Sequence, residues 1–108
     1  MKSKNILSDL VEFAAISKKY TDTRSKITKT TSKFGVTAFE CLILFALEAC
    51  PSDTKDVKKH TGVAESVTRR MFVTLRTKGL VKRIGTKTAL TDKGQELLNS
   101  LEDSYDKE

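Results

Sequence analysis

The chain has 108 residues, enough for one domain and too few for two ordinary ones. Hydrophobic residues make up 38% and charged residues 31% of the sequence, which excludes a disordered segment and predicts a globular domain with a heavily charged surface. The formal net charge of +6 narrows the partners to anionic surfaces, namely nucleic acid or an acidic membrane.

The sequence predicts neither secretion nor a membrane span. Asp9 and Glu12 interrupt the apolar stretch near the N-terminus, so that stretch lacks the uncharged core of a signal peptide. The longest uncharged apolar run, 41–47, is far too short to cross a bilayer. Cys41 and Cys50 lie on or beside one apolar helix and are expected to be reduced thiols. We therefore expect a cytoplasmic protein.

The first predicted element is an amphipathic helix within residues 1–20, where Ile6 and Leu10 lie on one apolar stripe. We interpret the stripe as a dimerisation surface, because the helix has too few basic residues for a membrane-surface helix. The next segment, Thr21 to Lys33, is rich in hydroxyl and β-branched residues, which disfavour a stable helix. It is predicted to be a loop or a short distorted helix, either an additional nucleic-acid contact or a solvated connector.

The core of the domain is predicted between residues 37 and 101. Thr37 and Glu40 form a capping box at the start of a helix that is apolar nearly all round, as expected for a buried central helix. The charged tail from 102 to 108 is expected to fray. The remaining predicted elements are a short helix at 54–60 capped by Ser52 or Asp53, a tight turn at 61–63, a helix at 64–78, strands at 80–84 and 87–90, and a final helix capped by Thr91 or Asp92.

Three helices followed by a hairpin are typical of a winged helix-turn-helix, a mainly α fold with a small β-hairpin wing, and we predict one such domain for residues 1–108. The helix at 64–78 would be the recognition helix. Its positions from Thr68 to Leu75 that repeat at i, i+3, i+4 and i+7 face the core, which leaves Arg69 and Arg70 outside. Guanidinium groups there suit guanine edges or phosphates, and basic residues also flank the turn of the wing at 81–90. The predicted DNA-binding residues are Glu65, Ser66, Arg69, Arg70, Thr74, Lys82, Arg83 and Lys87.

Two motifs resemble those of MarR-type winged helices. The stretch Leu-Arg-Thr-Lys-Gly-Leu-Val-Lys-Arg at 75–83 is similar to the pattern L-x-x-K-G-L-V-x-R before the wing, and Leu-Thr-Asp-Lys-Gly at 90–94 is similar to the L-T-x-K-G after it. SarA-like and PadR-like winged helices share much of this pattern. The resemblance implies a dimeric transcription regulator with the wing residues Arg83 and Lys87 on the DNA backbone. Little chain follows the final helix, so we expect the N-terminal and C-terminal helices to form the dimer.

These features predict a transcriptional regulator that binds double-stranded DNA at specific sequences. We expect it to be a homodimeric, nucleoid-associated repressor that binds a pseudo-palindromic site. Two alternatives stay open. One is an architectural or plasmid-partition type protein that coats DNA, and the other is a winged-helix module that binds proteins. The resemblance also allows a small-molecule effector, but no residue in the sequence marks its pocket.

Catalysis and metal binding are not expected. His60 is the single histidine, and together with Cys41 and Cys50 it lacks the spacing of a zinc site. The sequence contains no Gly-rich phosphate loop, no Ser-His-Asp set and no paired carboxylates, so we predict no enzyme and no cofactor. Cys41 is expected to be an inert buried thiol and Cys50 to be more accessible, with no partner that would make a redox pair.

Overall fold

The computed structural model describes residues 21–107 together with Ile6 and Leu10. Residues 21–107 form five helices and one two-stranded antiparallel sheet. From residue 37 onward, four of these helices and the sheet follow the predicted order. The winged-helix architecture predicted from the sequence is therefore confirmed. The elements are α1 (Thr21–Lys33), α2 (Ala38–Ala49), α3 (Thr54–Thr61), α4 (Glu65–Thr77), β1 (Val81–Ile84), β2 (Lys87–Leu90) and α5 (Asp92–Asp106).

Helix α1 occupies the segment that was predicted to be a loop or a short distorted helix, and that prediction is wrong. Ile27, Thr30 and Thr31 are buried at helical spacing, and α1 packs against α2 and α5. The Thr31 hydroxyl donates a hydrogen bond to the carbonyl oxygen of Ile27 at 3.0 Å, so this polar group is satisfied inside the helix. Composition reports only intrinsic helix propensity, which tertiary packing overrides here.

Side-chain caps set the starts of α2 and α3. At α2, the Thr37 hydroxyl accepts from the backbone N–H of Glu40 at 3.1 Å, and the Glu40 carboxylate accepts from the N–H of Thr37 at 2.8 Å. This is the predicted capping box, and α2 behind it is buried on nearly all sides. Asp53 and Asp56 form a second box at α3, so Asp53 rather than Ser52 is the cap. Gly62, with a φ of 79°, ends α3 in the left-handed conformation that favours glycine.

Helix α5 continues well past the point where the sequence predicted fraying. It extends to Asp106, and its residues Leu98, Leu101 and Tyr105 are completely buried. Charge alone predicted a frayed tail from residue 102, and that prediction is wrong because every third or fourth position of this charged segment faces the core.

The apolar stripe of the N-terminal segment contributes to the core of the same chain. Ile6 and Leu10 are each 1% exposed and belong to one hydrophobic cluster with Ile27 and Tyr105. These two side chains are therefore covered without a second copy. The rest of the predicted dimerising helix at 1–20 lies outside the described residues.

The wing is attached to the helix-turn-helix at two places. β1 and β2 pair from Val81 opposite Leu90 to the turn at Gly85. Ser52, in the loop between α2 and α3, exchanges two backbone hydrogen bonds with Thr88 of β2, at 2.8 and 2.9 Å. This short third pairing fixes the hairpin relative to α3.

The second attachment joins the two motifs that flank the wing. The backbone N–H of Thr91 donates to the carbonyl oxygen of Leu80 at 3.1 Å, and the Thr91 hydroxyl donates to the carbonyl oxygen of Gly79 at 2.7 Å. Thr91 is also the N-cap of α5, accepting from the N–H of Gly94. Gly79 and Leu80 of the first motif are therefore in direct contact with Thr91 of the second, and Thr91 in turn caps the helix at Gly94. These contacts explain why the two motifs occur together on either side of the wing.

Candidate nucleic-acid interface

Helix α4 has the core face that the sequence predicted. Thr68, Phe72 and Leu75 are buried, and Met71 is partly buried against the core. The opposite side of the helix is open to solvent. Its exposed residues are Ser66, Arg69, Arg70, Val73, Thr74, Arg76 and Thr77.

Four arginines carry the positive charge of this side of the molecule. They are Arg69, Arg70 and Arg76 on α4 and Arg83 on β1, and all four are exposed. None of their guanidinium groups forms an ion pair or hydrogen bond with another of the residues from 21 to 107. Their charges are therefore available to an external anion.

A cleft of about 250 Å³ separates α4 from the wing. Arg69, Arg76 and Arg83 line it together with the hydroxyl-bearing Thr86 and Thr88. The Asp53 carboxylate and the apolar Phe72 and Val73 also line the cleft. Its three arginines outnumber the one carboxylate, so the cleft is suited to an anionic group with several acceptor oxygens.

Sequence reasoning missed Arg76 as a candidate binding residue. It lies seven residues after Arg69 and therefore on the same side of the helix. That spacing would have revealed it, but its nearness to the wing could not be read from the sequence.

The basic residues of the wing have different environments. Arg83 lines the cleft, whereas its neighbour Lys82 points to the other face of the hairpin, since successive residues of a strand alternate. Lys87 is bound within the chain. Its ammonium group lies 2.5 Å from an oxygen of Asp56 and 3.7 Å from an oxygen of Asp53, the two residues of the α3 capping box.

This ion pair shifts the protonation of both partners. The hydrogen bond from Lys87, helped by that from the backbone N–H of Asp53, holds the pKa of Asp56 below its ordinary value. The same hydrogen bond raises the pKa of Lys87. The positive charge of Lys87 is thus compensated by α3, and this residue connects the wing to the helix-turn-helix.

We expect the stabilisation from Lys87 to be lost at both extremes of pH. Because the pKa of Asp56 is lowered by folding, its contribution is present above the unfolded value near 3.8 and is lost as pH falls through the folded value. Because folding raises the pKa of Lys87, the stabilisation from Lys87 is present below the unfolded pKa of 10.5 and is lost as pH rises through the folded pKa. Thermal unfolding of wild type and Lys87→Met, which keeps the capping box, should differ slightly at pH 7 and converge below pH 3.8 and above pH 10.5.

The control for this pair is Lys82→Met, which removes an exposed lysine from the same hairpin. Its melting temperature should follow that of wild type at every pH. A difference between wild type and Lys87→Met that stays constant with pH would contradict the ion pair.

The three remaining predicted residues of α4 have different environments. Glu65, at the first turn, accepts a hydrogen bond from the Thr54 hydroxyl at 3.4 Å and so links α4 to α3. The Thr74 hydroxyl donates to the carbonyl oxygen of Arg70 at 3.2 Å. Ser66 is exposed in the first turn, on the same outward side as Arg70.

A second cleft, mainly apolar and about 330 Å³ in volume, lies between α2 and α3. Leu42 and Phe45 form its base, and Cys50 and His60 are exposed beside it. No signal in the sequence marked this cleft, because its walls come from two helices. Cys41 faces the core instead, where burial raises the pKa of its thiol to about 12, as expected for an unreactive cysteine.

Among residues 21–107 with Ile6 and Leu10, no group of three His, Cys, Asp or Glu side chains is placed to hold a metal ion. In the same residues, no single helix has the length and hydropathy of a membrane span. The pair Ile27–Lys33 and Ala38–Ala49 meets these criteria only together and is bent by 77°.

This chain is similar in structure to known proteins, although its sequence matches no known family. No family model and no curated protein matches the sequence. Solved structures of the MarR family protein Rv2887 of Mycobacterium tuberculosis are similar to this chain. Its complex with DNA is 22% identical over 77% of this chain and 69% of that chain, with a TM-score of 0.68.

Two further structures of Rv2887 are also similar to this chain. The complex with salicylic acid is 22% identical over 77% of this chain and 69% of that chain, with a TM-score of 0.62. The complex with p-aminosalicylic acid is 21% identical over 77% of this chain and 71% of that chain, with a TM-score of 0.64. The predicted resemblance to MarR-type winged helices is therefore confirmed for the fold.

Proposed function

We propose that this chain, which has the MarR-type winged-helix fold, is a transcription regulator that binds double-stranded DNA and has no catalytic role. Four exposed arginines without partners among residues 21–107, gathered on α4 and the adjacent wing, are the observation that carries this proposal. A surface of this kind matches the phosphate charge that dominates protein–DNA affinity. The similar fold of Rv2887, whose structure is a complex with DNA, supports it.

In this proposal α4 enters the major groove, which is about 12 Å wide and admits one helix. Arg69 and Arg70, in the middle of the exposed side, would donate to guanine edges or to the flanking phosphates. Arg76 and Arg83 would hold one backbone phosphate in the cleft between α4 and the wing. The wing would then lie on the adjacent backbone or minor groove.

The other predicted residues receive more specific roles. Ser66 would contact the backbone or base edges, and Lys82 would contact a phosphate on the outer side of the wing. The Thr74 hydroxyl already donates to the carbonyl oxygen of Arg70, so Thr74 would contact a base edge as an acceptor. We assign Glu65 and Lys87 to positioning, because Glu65 is bonded to α3 and the charge of Lys87 is already compensated there. Their loss would then alter the geometry of the interface rather than remove a contact to DNA.

The proposed assembly is a nucleoid-associated homodimer that represses transcription from a pseudo-palindrome. Two recognition helices would contact half-sites about 34 Å apart, one turn of DNA. The proposal rests on the resemblance of the two motifs around the wing. It requires two chains per duplex, which sedimentation of the protein with a selected duplex measures directly.

The test of DNA binding is a salt titration by fluorescence anisotropy with random duplex DNA. For wild type we expect affinity to fall steeply with salt, because phosphate contacts release counterions. Arg69→Ala/Arg70→Ala should lower affinity at least about tenfold and reduce the slope of log affinity against log salt by up to about 2. The control is Lys29→Ala/Lys107→Ala, which removes the same net charge from exposed positions of α1 and of the C-terminal segment. It should leave the slope nearly unchanged.

Two outcomes would favour the alternatives. Failure of wild type to bind any duplex at low salt would overturn the proposal and favour the protein-interaction module. Binding that competitor DNA of any sequence displaces equally would favour a DNA-coating protein. A sequence-specific regulator should prefer its selected site by on the order of 10³ or more.

A further inference from the structure

An apolar side chain lies in the middle of the proposed DNA-binding surface. Val73 is 52% exposed on α4, and the other exposed large hydrophobic residues of the described chain are Phe39 and Ile84. Valine is a mediocre helix former, and at this exposure it adds little to the core of the chain. The stability of the fold therefore does not explain why a valine occupies this exposed position.

The threonines next to Val73 enlarge its apolar surface. The Thr77 hydroxyl donates to the carbonyl oxygen of Val73 at 3.0 Å, and the Thr74 hydroxyl donates to that of Arg70 at 3.2 Å. Both hydroxyl hydrogens are thus used inside the helix. To an outside partner, Val73 and these threonines therefore present methyl groups and hydroxyl oxygens that can only accept, with no free donor among their side chains.

Arginines border this patch of methyl groups. Arg69 and Arg70 precede Val73 by four and three residues, and Arg76 follows it by three, so all are its neighbours on the helix surface. They have no ion pairs among residues 21–107. An apolar centre with cationic edges matches a groove whose floor carries a methyl group and whose rims carry phosphates.

We infer that Val73, with the methyl group of Thr77, reads the C5-methyl group of thymine in the major groove. This inference rests on the proposed function and adds a sequence preference to it. The thymine methyl is the apolar group among the base edges of that groove. A guanine edge, which presents only acceptors in the major groove, would lose its water against the same patch without gaining a hydrogen bond, and that disfavours guanine there.

The test compares thymine with uracil, which differ by this methyl group alone. Duplexes that bind wild type are first selected from a random pool, and each thymine of a selected site is then replaced singly by uracil. At one or two positions we expect wild type to bind the uracil duplex about fourfold more weakly, the effect of one buried methyl group. Val73→Ala keeps only the methyl group of Thr77 and should lose most of this difference between the thymine and uracil duplexes at those positions. Val73→Thr, which keeps one methyl, should give an intermediate ratio.

Ile84→Ala is the matched control. Ile84 is also 52% exposed but lies on the wing, so this variant should retain the full preference for thymine. Equal binding of wild type to all single uracil duplexes would overturn the inference and leave the proposed function intact. Equal affinities of wild type and Val73→Ala for every duplex would also overturn it. If wild type binds no duplex, both the inference and the proposed function fail.

Discussion

Replacing Gly94 with alanine should destabilise the chain by about 3 kcal/mol, the upper range for forcing an extra carbon into a packed site. A Cβ atom at Gly94 would lie 2.2 Å from the carbonyl oxygen of Leu80 and 3.1 Å from Cδ2 of Leu90. The first obstacle is backbone, which cannot rotate away as a side-chain end can. Leu80 also accepts the hydrogen bond from Thr91, so the start of α5 cannot move away from Leu80 without losing that bond.

Packing and helix propensity predict changes in stability of opposite sign for Gly94→Ala. Gly94 lies in the first turn of α5 without a positive φ, and helix propensity alone would make alanine more stable there by up to about 1 kcal/mol. Urea unfolding of wild type and Gly94→Ala measures the difference. Glu96→Ala, an exposed position of the same helix, is the control and should change stability by less than about 0.5 kcal/mol. A gain in stability for Gly94→Ala would refute the close approach of α5 to Leu80.

We expect Tyr105→Ala to cost about 3 to 5 kcal/mol, the usual range for removing a large buried ring. Tyr105 is completely buried near the end of α5 and belongs to the same cluster as Ile6, Leu10 and Ile27. Its ring therefore holds α5 and the N-terminal half of the chain together. Truncation would leave a cavity among residues that are far apart in the sequence.

Two variants separate the ring from its surroundings. Tyr105→Phe keeps the volume and should lose only the contribution of the hydroxyl, about 1 kcal/mol. Asp106→Ala changes the exposed next residue and should be nearly neutral. Denaturant unfolding gives all three values. If Tyr105→Ala were as stable as Asp106→Ala, the end of α5 would be frayed, as its charge alone suggests.

Local interactions explain why the order of elements could be predicted from residue 37 onward. The capping box of Thr37 and Glu40, the left-handed Gly62 and the repeat of apolar positions in α4 each act within a few residues. Such signals depend on backbone groups and side chains that are neighbours in the sequence, so they can be read there. The same holds for Arg69 and Arg70, whose exposure follows from the core face of their own helix.

By itself, then, the sequence determined the helix-turn-helix, its core face and the positive charge that follows it. Tertiary contacts decided the rest. Packing against α2 and α5 makes α1 a helix despite its composition, and burial of Tyr105 orders the charged end of the chain. The distance between α4 and the wing decides that Arg76 and Arg83 share a cleft, whereas the capping box of α3 binds Lys87. Each of these pairings joins residues that are distant along the chain, and its energy exists only once the chain has folded.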